Sequence, residues 1–285
     1  MIETARMPTA ISPSDFQTVR GLLRRHAALV LDDGKEYLVE ARLGGLAQRE
    51  GLSSLAELLT LLRNPSTEMC QKVVEAMTIH ETSFFRDWKA FEAMRRDVIP
   101  RLIQARSKIR QLYIWSAACS TGQEPYCLAM MLREHFPELA TWKVRILATD
   151  ISRAILAQAR QGKFSQLEVN RGLPAHFLVK YFERRELNFV VVESVRAMVE
   201  FQHFNLAEAW PALPLMDLAL LRNVVIYFDP PRQREIFERM RRVLQPDGYL
   251  VVGGGDPTAD LVRSMDRAPF DGPFFQPPQT PRSGT

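Results

Sequence analysis

Between about residues 110 and 252 the chain alternates short apolar runs with helical stretches, and this alternation restricts its fold more than any other feature. Leu112–Ala117 leads into a helical pattern reaching His135, Val144–Thr149 into one reaching Gln161, and Leu218–Leu221 precedes one over Arg232–Leu244. Gln245-Pro246-Asp247-Gly248 then turns the chain into Tyr249–Val252. Strands separated by helices predict a mostly parallel sheet with helices on both faces. Two β-rich runs, Phe189–Val192 and Met198–Phe201, have no helical pattern between them and predict an antiparallel hairpin inserted in that core.

Residues 14–77 differ. Phe16, Val19, Leu22, Leu23, Ala27 and Val30 recur at helical spacing until Asp32-Asp33-Gly34. Val39, Leu43 and Leu46 mark a second helix that Gly51 stops, and Ser54 with Glu57 forms a capping-box pattern before Leu55, Leu58, Leu59 and Leu62. Met69, Val73, Ala76 and Met77 mark a fourth, so a small all-α domain is expected over 14–77. A linker over 78–95 follows, with the unusual run Thr-Ile-His-Glu-Thr-Ser-Phe-Phe-Arg-Asp at 78–87. The helix bearing Phe91, Met94, Val98 and Ile99 should end at Pro100. The α/β domain is placed at 96–270, with its β-subdomain at about 175–203. Residues 1–13 are expected to fray, and the Pro- and Gly-rich stretch 271–285 to be a loose tail.

Composition closes off several classes. A chain of 285 residues with 46% hydrophobic and 25% charged residues is not broadly disordered. The excess of 37 Lys+Arg over 33 Asp+Glu does not announce nucleic acid. Cys70, Cys119 and Cys127 form no CxxC pair, which argues against a disulfide scaffold or a Cys-rich zinc site and fits a reducing cytoplasm. Neither a signal-like apolar region over Met1–Ser14 nor a run of about 18 apolar residues is found, so a soluble cytoplasmic protein without membrane insertion is expected.

Three places carry candidate chemistry. Trp115-Ser116-Ala117-Ala118-Cys119-Ser120-Thr121-Gly122-Gln123-Glu124-Pro125-Tyr126 leaves a strand and opens a helix. Its small side chains let a ligand approach the backbone, and equally they suit a tight packed turn. It holds neither GxGxxG nor a GxxxxGK[ST] phosphate loop, which argues against NAD and ATP. Asp150, 28 positions beyond Gly122, follows the second strand. An acid there caps the next helix, in rivalry with Ser152, or accepts both hydroxyls of a ribose; beside the Gly122 loop the nucleoside reading is favoured. Arg222-Asn223 ends a third apolar strand, and Val224-Val225-Ile226-Tyr227-Phe228 is apolar enough to wall a pocket.

Together with His80-Glu81-Thr82-Ser83-Phe84-Phe85-Arg86-Asp87, Ala148-Thr149-Asp150-Ile151-Ser152 and Leu221-Arg222-Asn223-Val224-Val225-Ile226-Tyr227-Phe228-Asp229, these segments resemble the chemoreceptor methyltransferase family, CheR. The likeness covers about residues 14–256; any one motif would be weak, whereas four in order are specific. The resemblance implies an all-α N-terminal domain joined to a Rossmann-like class I S-adenosylmethionine-dependent methyltransferase domain with an inserted antiparallel β-subdomain. It implies methylation of glutamate γ-carboxylates on chemoreceptors, leaving S-adenosylhomocysteine. It carries Thr82 and Arg86 over to the methionine end of the cofactor, Asp150 to the ribose, and His80, Glu124, Asn205, Leu206, Arg222 and Asn223 to further cofactor contacts. Tyr227 matches a tyrosine beside the transferred methyl, so Arg86 and Tyr227 are the expected catalytic residues, with no metal. His80 stands where members commonly carry Asn, Gln123 replaces a common Glu, and Gly254-Gly255-Asp256-Pro257 replaces a usual Ser-Glu.

This chemistry needs no general base, because a glutamate with a pKa near 4.3 is already ionised at neutral pH. The implied partner is the cytoplasmic methylation helices of chemoreceptors, approached by a monomer. Arg20, Arg24, Arg25, Arg42 and Arg49 of the helical domain are candidate docking residues, although Asp32, Asp33, Glu36 and Glu40 lie among them. Members that capture a receptor-tail pentapeptide carry a Gly-x-Gly turn in the β-subdomain. No glycine occurs between Gly172 and Gly248, and Glu193-Ser194-Val195-Arg196 is a short connection, so a pentapeptide-independent type is expected. Two rival readings are a SAM-binding scaffold without catalysis and a nucleic-acid methyltransferase suggested by Asp229-Pro230-Pro231. The latter lacks the aromatic that stacks on a flipped base, since Arg232 follows.

Overall fold

The computed structural model describes residues 11–258 and 261–278. The chain divides into two units: one runs to Ile79 and includes Tyr227–Asp229, and the other comprises His80–Ile226 and the chain from Pro230.

The first unit holds four helices, α1 (Pro13–Ala27), α2 (Glu36–Arg49), α3 (Leu55–Leu61) and α4 (Thr67–Met77). Their apolar stripes form one core, with Val19, Val39, Leu43, Leu58 and Val73 fully buried. Ser12 caps α1 by accepting the Asp15 N–H at 3.2 Å, and Ile11 is buried, so the expected fraying does not extend to these residues. The rest of that stretch, 1–10, lies outside the described residues. The helix also stops earlier than the periodicity suggested. Ala28 turns left-handed, Val30 is exposed, and the Val30 N–H donates to the Tyr227 carbonyl at 2.9 Å. At α3 the capping box is displaced by one residue. Ser54 accepts the Glu57 N–H, but Glu57 reaches back to the backbone and hydroxyl of Ser53.

The second unit opens with α5 (Trp88–Ala93), a π-helical turn (Met94–Val98) and α6 (Ile99–Arg106). Here Pro100 does not end the helix. The π-turn lets the Ile99 N–H reach the Met94 carbonyl, and Pro100 falls in a first turn where its missing N–H costs little. Then come β1 (Gln111–Ala117), α7 (Gln123–His135), β2 (Lys143–Asp150), α8 (Arg153–Gln161), β3 (Lys163–Ser165), α9 (Gln166–Asn170), α10 (Ala175–Tyr181), β4 (Phe182–Arg185) and β5 (Asn188–Val191). They are followed by α11 (Glu193–Arg196), β6 (Val199–His203), β7 (Met216–Leu221), α12 (Pro230–Val243), β8 (Leu244–Val252), α13 (Leu261–Ser264), β9 (Asp266–Arg267) and β10 (Phe274–Gln276).

Seven strands form a sheet in the order β6-β2-β1-β7-β8-β10-β9, parallel from β6 to β8 and antiparallel beyond. The chain builds outward from β1 to β2 and β6, then crosses back to β7. The order therefore reverses between β1 and β7, and the ends of these strands frame the crevice where such sheets bind ligands.

Two expectations are corrected. Phe189–Val192 and Met198–Phe201 do not form a hairpin. The first run belongs to β5, the middle strand of a separate antiparallel sheet β3-β5-β4 over residues 163–191. The second lies in β6, parallel to β2 at the edge of the main sheet, and the Glu193–Arg196 connection is a helical turn. The true hairpin is β4–β5, and Glu186 supplies its left-handed residue (φ 55°) without glycine. The tail is not loose where it is described. Phe274 and Phe275 are buried in β10, which pairs with β8. Its end, 279–285, lies outside the described residues.

Candidate functional site

The loop after β1 is strained and heavily tied. Ala118, Ser120 and Gly122 all have positive φ (58°, 52° and 93°), which costs L-residues about 1–2 kcal/mol each. Glycine is required at 122, where a Cβ would also crowd Ala159 at 3.1 Å and Tyr126 at 3.3 Å. The Cys119 N–H donates to the Thr149 carbonyl at 2.9 Å, fastening the loop to the end of β2.

Asp150 completes the fastening. It is buried, its Oδ2 accepts the Ser120 N–H at 2.9 Å and its Oδ1 accepts the Ser152 N–H at 3.0 Å. Ser152, not Asp150, caps α8, by accepting the Ile155 N–H at 3.2 Å. The Asp150 carbonyl accepts the Phe204 N–H at 2.9 Å, which brings Asn205 and Leu206 beside the acid. That segment is braced by Trp210, whose indole donates to the Leu206 carbonyl at 3.1 Å and whose ring meets Trp115 and Phe204 edge-on.

The 80–87 run, within the stretch expected to be a linker contributing to the cofactor site, is anchored in the second unit's core. Phe84 is fully buried edge-on against Phe164 and Phe182, and Phe85 packs on Phe91 and Phe177. Gly172 (φ 85°) is needed beneath it, because a Cβ there would lie 2.2 Å from the Phe84 carbonyl oxygen. With two phenylalanines buried, His80, Thr82 and Arg86 are left half-buried around the loop. The His80 carbonyl accepts the Ser120 hydroxyl at 2.7 Å, and Arg86 donates to the Glu81 carbonyl at 3.1 Å.

Arg222 gathers the remaining parts. Its side chain is 2% exposed and donates to Glu124 Oε2 (2.8 Å), Asp87 Oδ2 (2.8 Å) and the Arg86 carbonyl (2.7 Å). Glu124 Oε1 accepts the Ser116 hydroxyl at 2.8 Å. Burial opposes the charge of Arg222, but Glu124 and Asp87 outweigh it and hold its pKa above the ordinary value. Asn223 follows in a left-handed conformation (φ 56°).

The structure thus brings His80, Thr82, Arg86, Glu124, Asp150, Asn205, Leu206, Arg222 and Asn223 to the β1, β2 and β7 ends of one unit. Tyr227 lies in the short segment assigned to the helical unit. The apolar wall expected over 224–228 is interrupted: Val225 and Phe228 are buried, but Ile226 is half-exposed. Pro230 and Pro231 start α12.

Sequence reasoning singled out Asp256 only as a departure from a pattern. The carboxylate is buried, and its Oδ2 accepts N–H groups from both Asn223 and Gly253. Asp87, the second acid on Arg222, was also missed as a site residue. An acid shortly beyond the last parallel strand, in a glycine-rich turn, was the available signal for Asp256.

A nucleoside with a charged amino-acid end fits this set of groups. An acid stands at the β2 end, small residues line the β1 loop, and Asp256 Oδ1 is a buried acceptor without a hydrogen-bond partner.

Comparison with known proteins identifies the family. Residues 80–267 match the family model described as CheR methyltransferase, SAM binding domain, and residues 14–78 match CheR methyltransferase, all-alpha domain. Chemotaxis protein methyltransferase 1 of Pseudomonas aeruginosa is 38% identical over 252 residues, covering 87% of this chain and 92% of that protein. Chemotaxis protein methyltransferase Cher2 of Pseudomonas putida is 36% identical, covering 85% and 90% respectively. Chemotaxis protein methyltransferase 1 of Vibrio cholerae is 34% identical, covering 90% and 94%. Among the described residues no helix is long and apolar enough to cross a membrane.

Proposed function

The chain belongs to the CheR methyltransferase family and carries its SAM-binding domain, and from that premise we propose that it methylates glutamate γ-carboxylates on chemoreceptors. One observation carries the placement of the cofactor: buried Asp150 clasps the strained β1 loop while standing at the β2 end. Each of its oxygens accepts one N–H and keeps a second lone pair for a ribose hydroxyl. Arg86 donates once to Glu81 and retains guanidinium N–H groups for a carboxylate, and Thr82 is read as serving the same end of the cofactor. Arg222 acts as a positioning residue, holding the Arg86 backbone and Glu124. Asn205 and Leu206 follow the strand edge next to Asp150.

S-adenosylmethionine supplies a methyl on a positively charged sulfur. The acceptor carboxylate is ionised at neutral pH, so the chain's task is alignment and exclusion of water rather than proton removal. Tyr227 orients the acceptor in this reading. The β4–β5 turn, Glu186-Leu187, holds no glycine, which supports direct engagement of the methylation helices rather than capture of a tail peptide.

The test is incubation with methyl-labelled cofactor and a chemoreceptor that another member of the family labels. Base-labile label released as methanol is expected. Its complete absence would overturn the proposal.

A further inference from the structure

Asp256 joins two strand ends. Its Oδ2 accepts the N–H of Asn223, just past β7, and the N–H of Gly253, just past β8, each at 2.7 Å. The Asp256 N–H returns to the Gly253 carbonyl at 3.0 Å, closing a compact turn. Above that turn Asn223 holds a φ of 56°, a region L-residues rarely adopt. Its amide lies directly on Gly253, where a Cβ would be 2.5 Å from Asn223 Nδ2 and 2.9 Å from Cγ. The backbone and side chain of Asn223 are therefore fixed from one direction, by Asp256 and by the bare Cα of Gly253.

We propose that Asp256 is a positioning residue for cofactor binding, holding Asn223 in its left-handed turn so that the Asn223 amide is presented to the ligand. The proposal rests on the reading of Asn223 as a cofactor contact. A carboxylate is a costly choice for a turn that needs only an acceptor, because Asp256 is 7% exposed and its Oδ1 has no hydrogen-bond partner. Burial pushes its pKa above the ordinary carboxylate value, against the two N–H bonds and the charges of Arg222 and Arg86. Buried, perturbed acids cluster at functional sites, and this one stands where two strand ends meet the ligand crevice.

Calorimetric titration with S-adenosylhomocysteine tests this on Asp256→Ala, Asn223→Ala, the double variant and Asp256→Asn. Asp256→Ala should weaken binding at least tenfold in the parent background and less than twofold further in the Asn223→Ala background, because its effect travels through Asn223. Asp256→Asn should stay within threefold of the parent, since an amide oxygen can accept the same two N–H groups. Equal losses in both backgrounds would mark a general structural role and overturn the proposal, as would unchanged affinity in Asp256→Ala. Should the alanine variant not fold, a tenfold loss in Asp256→Asn overturns it alone. Failure of the parent to bind S-adenosylhomocysteine is a separate result and would remove the cofactor reading itself.

Discussion

Arg222→Met removes the cation that holds three parts of the site together. The side chain is 2% exposed and bonds Glu124, Asp87 and the Arg86 carbonyl, with its guanidinium 5.7 Å from the centre of the Phe91 ring. The cost falls unevenly. Asp87 is 48% exposed and regains water, whereas Glu124 is 14% exposed and keeps only the Ser116 hydroxyl. Breaking a buried pair by removing one partner costs about 3–5 kcal/mol, and the stranded Glu124 carries most of it. For a unit of this size that lowers Tm by about 6–20 °C. Asp87 and the Arg86 backbone also lose their tether, so affinity for S-adenosylhomocysteine should fall in variant protein that remains folded. Differential scanning calorimetry and titration measure the two effects. Adding Glu124→Gln to Arg222→Met should recover about 2 kcal/mol, because the stranded charge is then gone. A Tm within 2 °C (about 1 kcal/mol or less) of the parent for Arg222→Met, or no recovery in the double variant, would refute the argument.

Asp150→Asn should weaken S-adenosylhomocysteine binding by about 10–100-fold, since one charge-assisted acceptor is replaced by an NH₂ group facing an N–H; kcat at saturating cofactor should stay within about threefold. Unchanged affinity by calorimetry would remove Asp150 from the site. Tyr227→Phe should leave that affinity intact and lower kcat for receptor methylation, whereas an unaffected kcat would reduce Tyr227 to packing. Arg25 and Arg49 are exposed, but Arg42 donates to the Met77 carbonyl at 2.6 Å and Arg20 pairs with Asp33, so docking is tested with Arg25→Glu/Arg49→Glu. Its KM for receptor should rise while cofactor affinity holds; equal KM values count against docking by this face. Asp256 has a raised pKa in the folded protein because it is buried, so above the ordinary carboxylate range near 3.9 the native state binds more protons than the unfolded chain. Stability must fall as pH rises through that window, and urea unfolding of Asp256→Asn should show a difference from the parent that moves in favour of Asn from pH 4 to pH 7. A pH-independent difference would contradict the burial argument.

The parallel strands were legible because β7 and the later parts of β1 and β2 are mostly apolar and buried on both faces, with helices between β1 and β2 and after β7. The inserted sheet was misread for a related reason. Phe189–Val192 and Met198–Phe201 have the same β-rich texture, and nothing local says that one joins a separate sheet while the other joins the edge of the main one. That choice is set by non-local pairing, Phe189 with Phe164 and Phe201 with Ala148. Pro100 misled because a π-turn absorbed it, and the tail misled because Pro and Gly flank two phenylalanines that complete the sheet. Asp150 and Arg222-Asn223 stood out as polar residues ending apolar strands. Asp256 did not, because its importance lies in which backbone N–H groups it meets, and these belong to residues 33 and 3 positions away.

Strain and charge are coupled throughout this site. Among the described residues eight non-glycine positions have positive φ, and five of them, Phe85, Asp87, Ala118, Ser120 and Asn223, lie in the loops around the strand ends. At about 1 kcal/mol or more each, they store a sum comparable to the net stability of a domain. Three of the five are held directly by a buried charged side chain: Ser120 by Asp150, Asn223 by Asp256, and Asp87 by Arg222. The charges are therefore not free for ligand alone: Asp150 and Asp256 already hold backbone N–H groups, and Arg222 holds the Arg86 carbonyl and the Asp87 side chain. Truncating Asp150 to alanine removes a ribose contact and releases a loop at once, so affinity lost in that variant cannot be assigned to the contact. At Asp256 the isosteric amide separates charge from clasp, because only Oδ2 is engaged and an amide oxygen can take its place, and the Asn223→Ala background separates positioning from general stability. By the same logic, bound cofactor should strengthen the clasps, and S-adenosylhomocysteine should slow amide exchange at Ser120 and Asn223 more than at the buried β1 core.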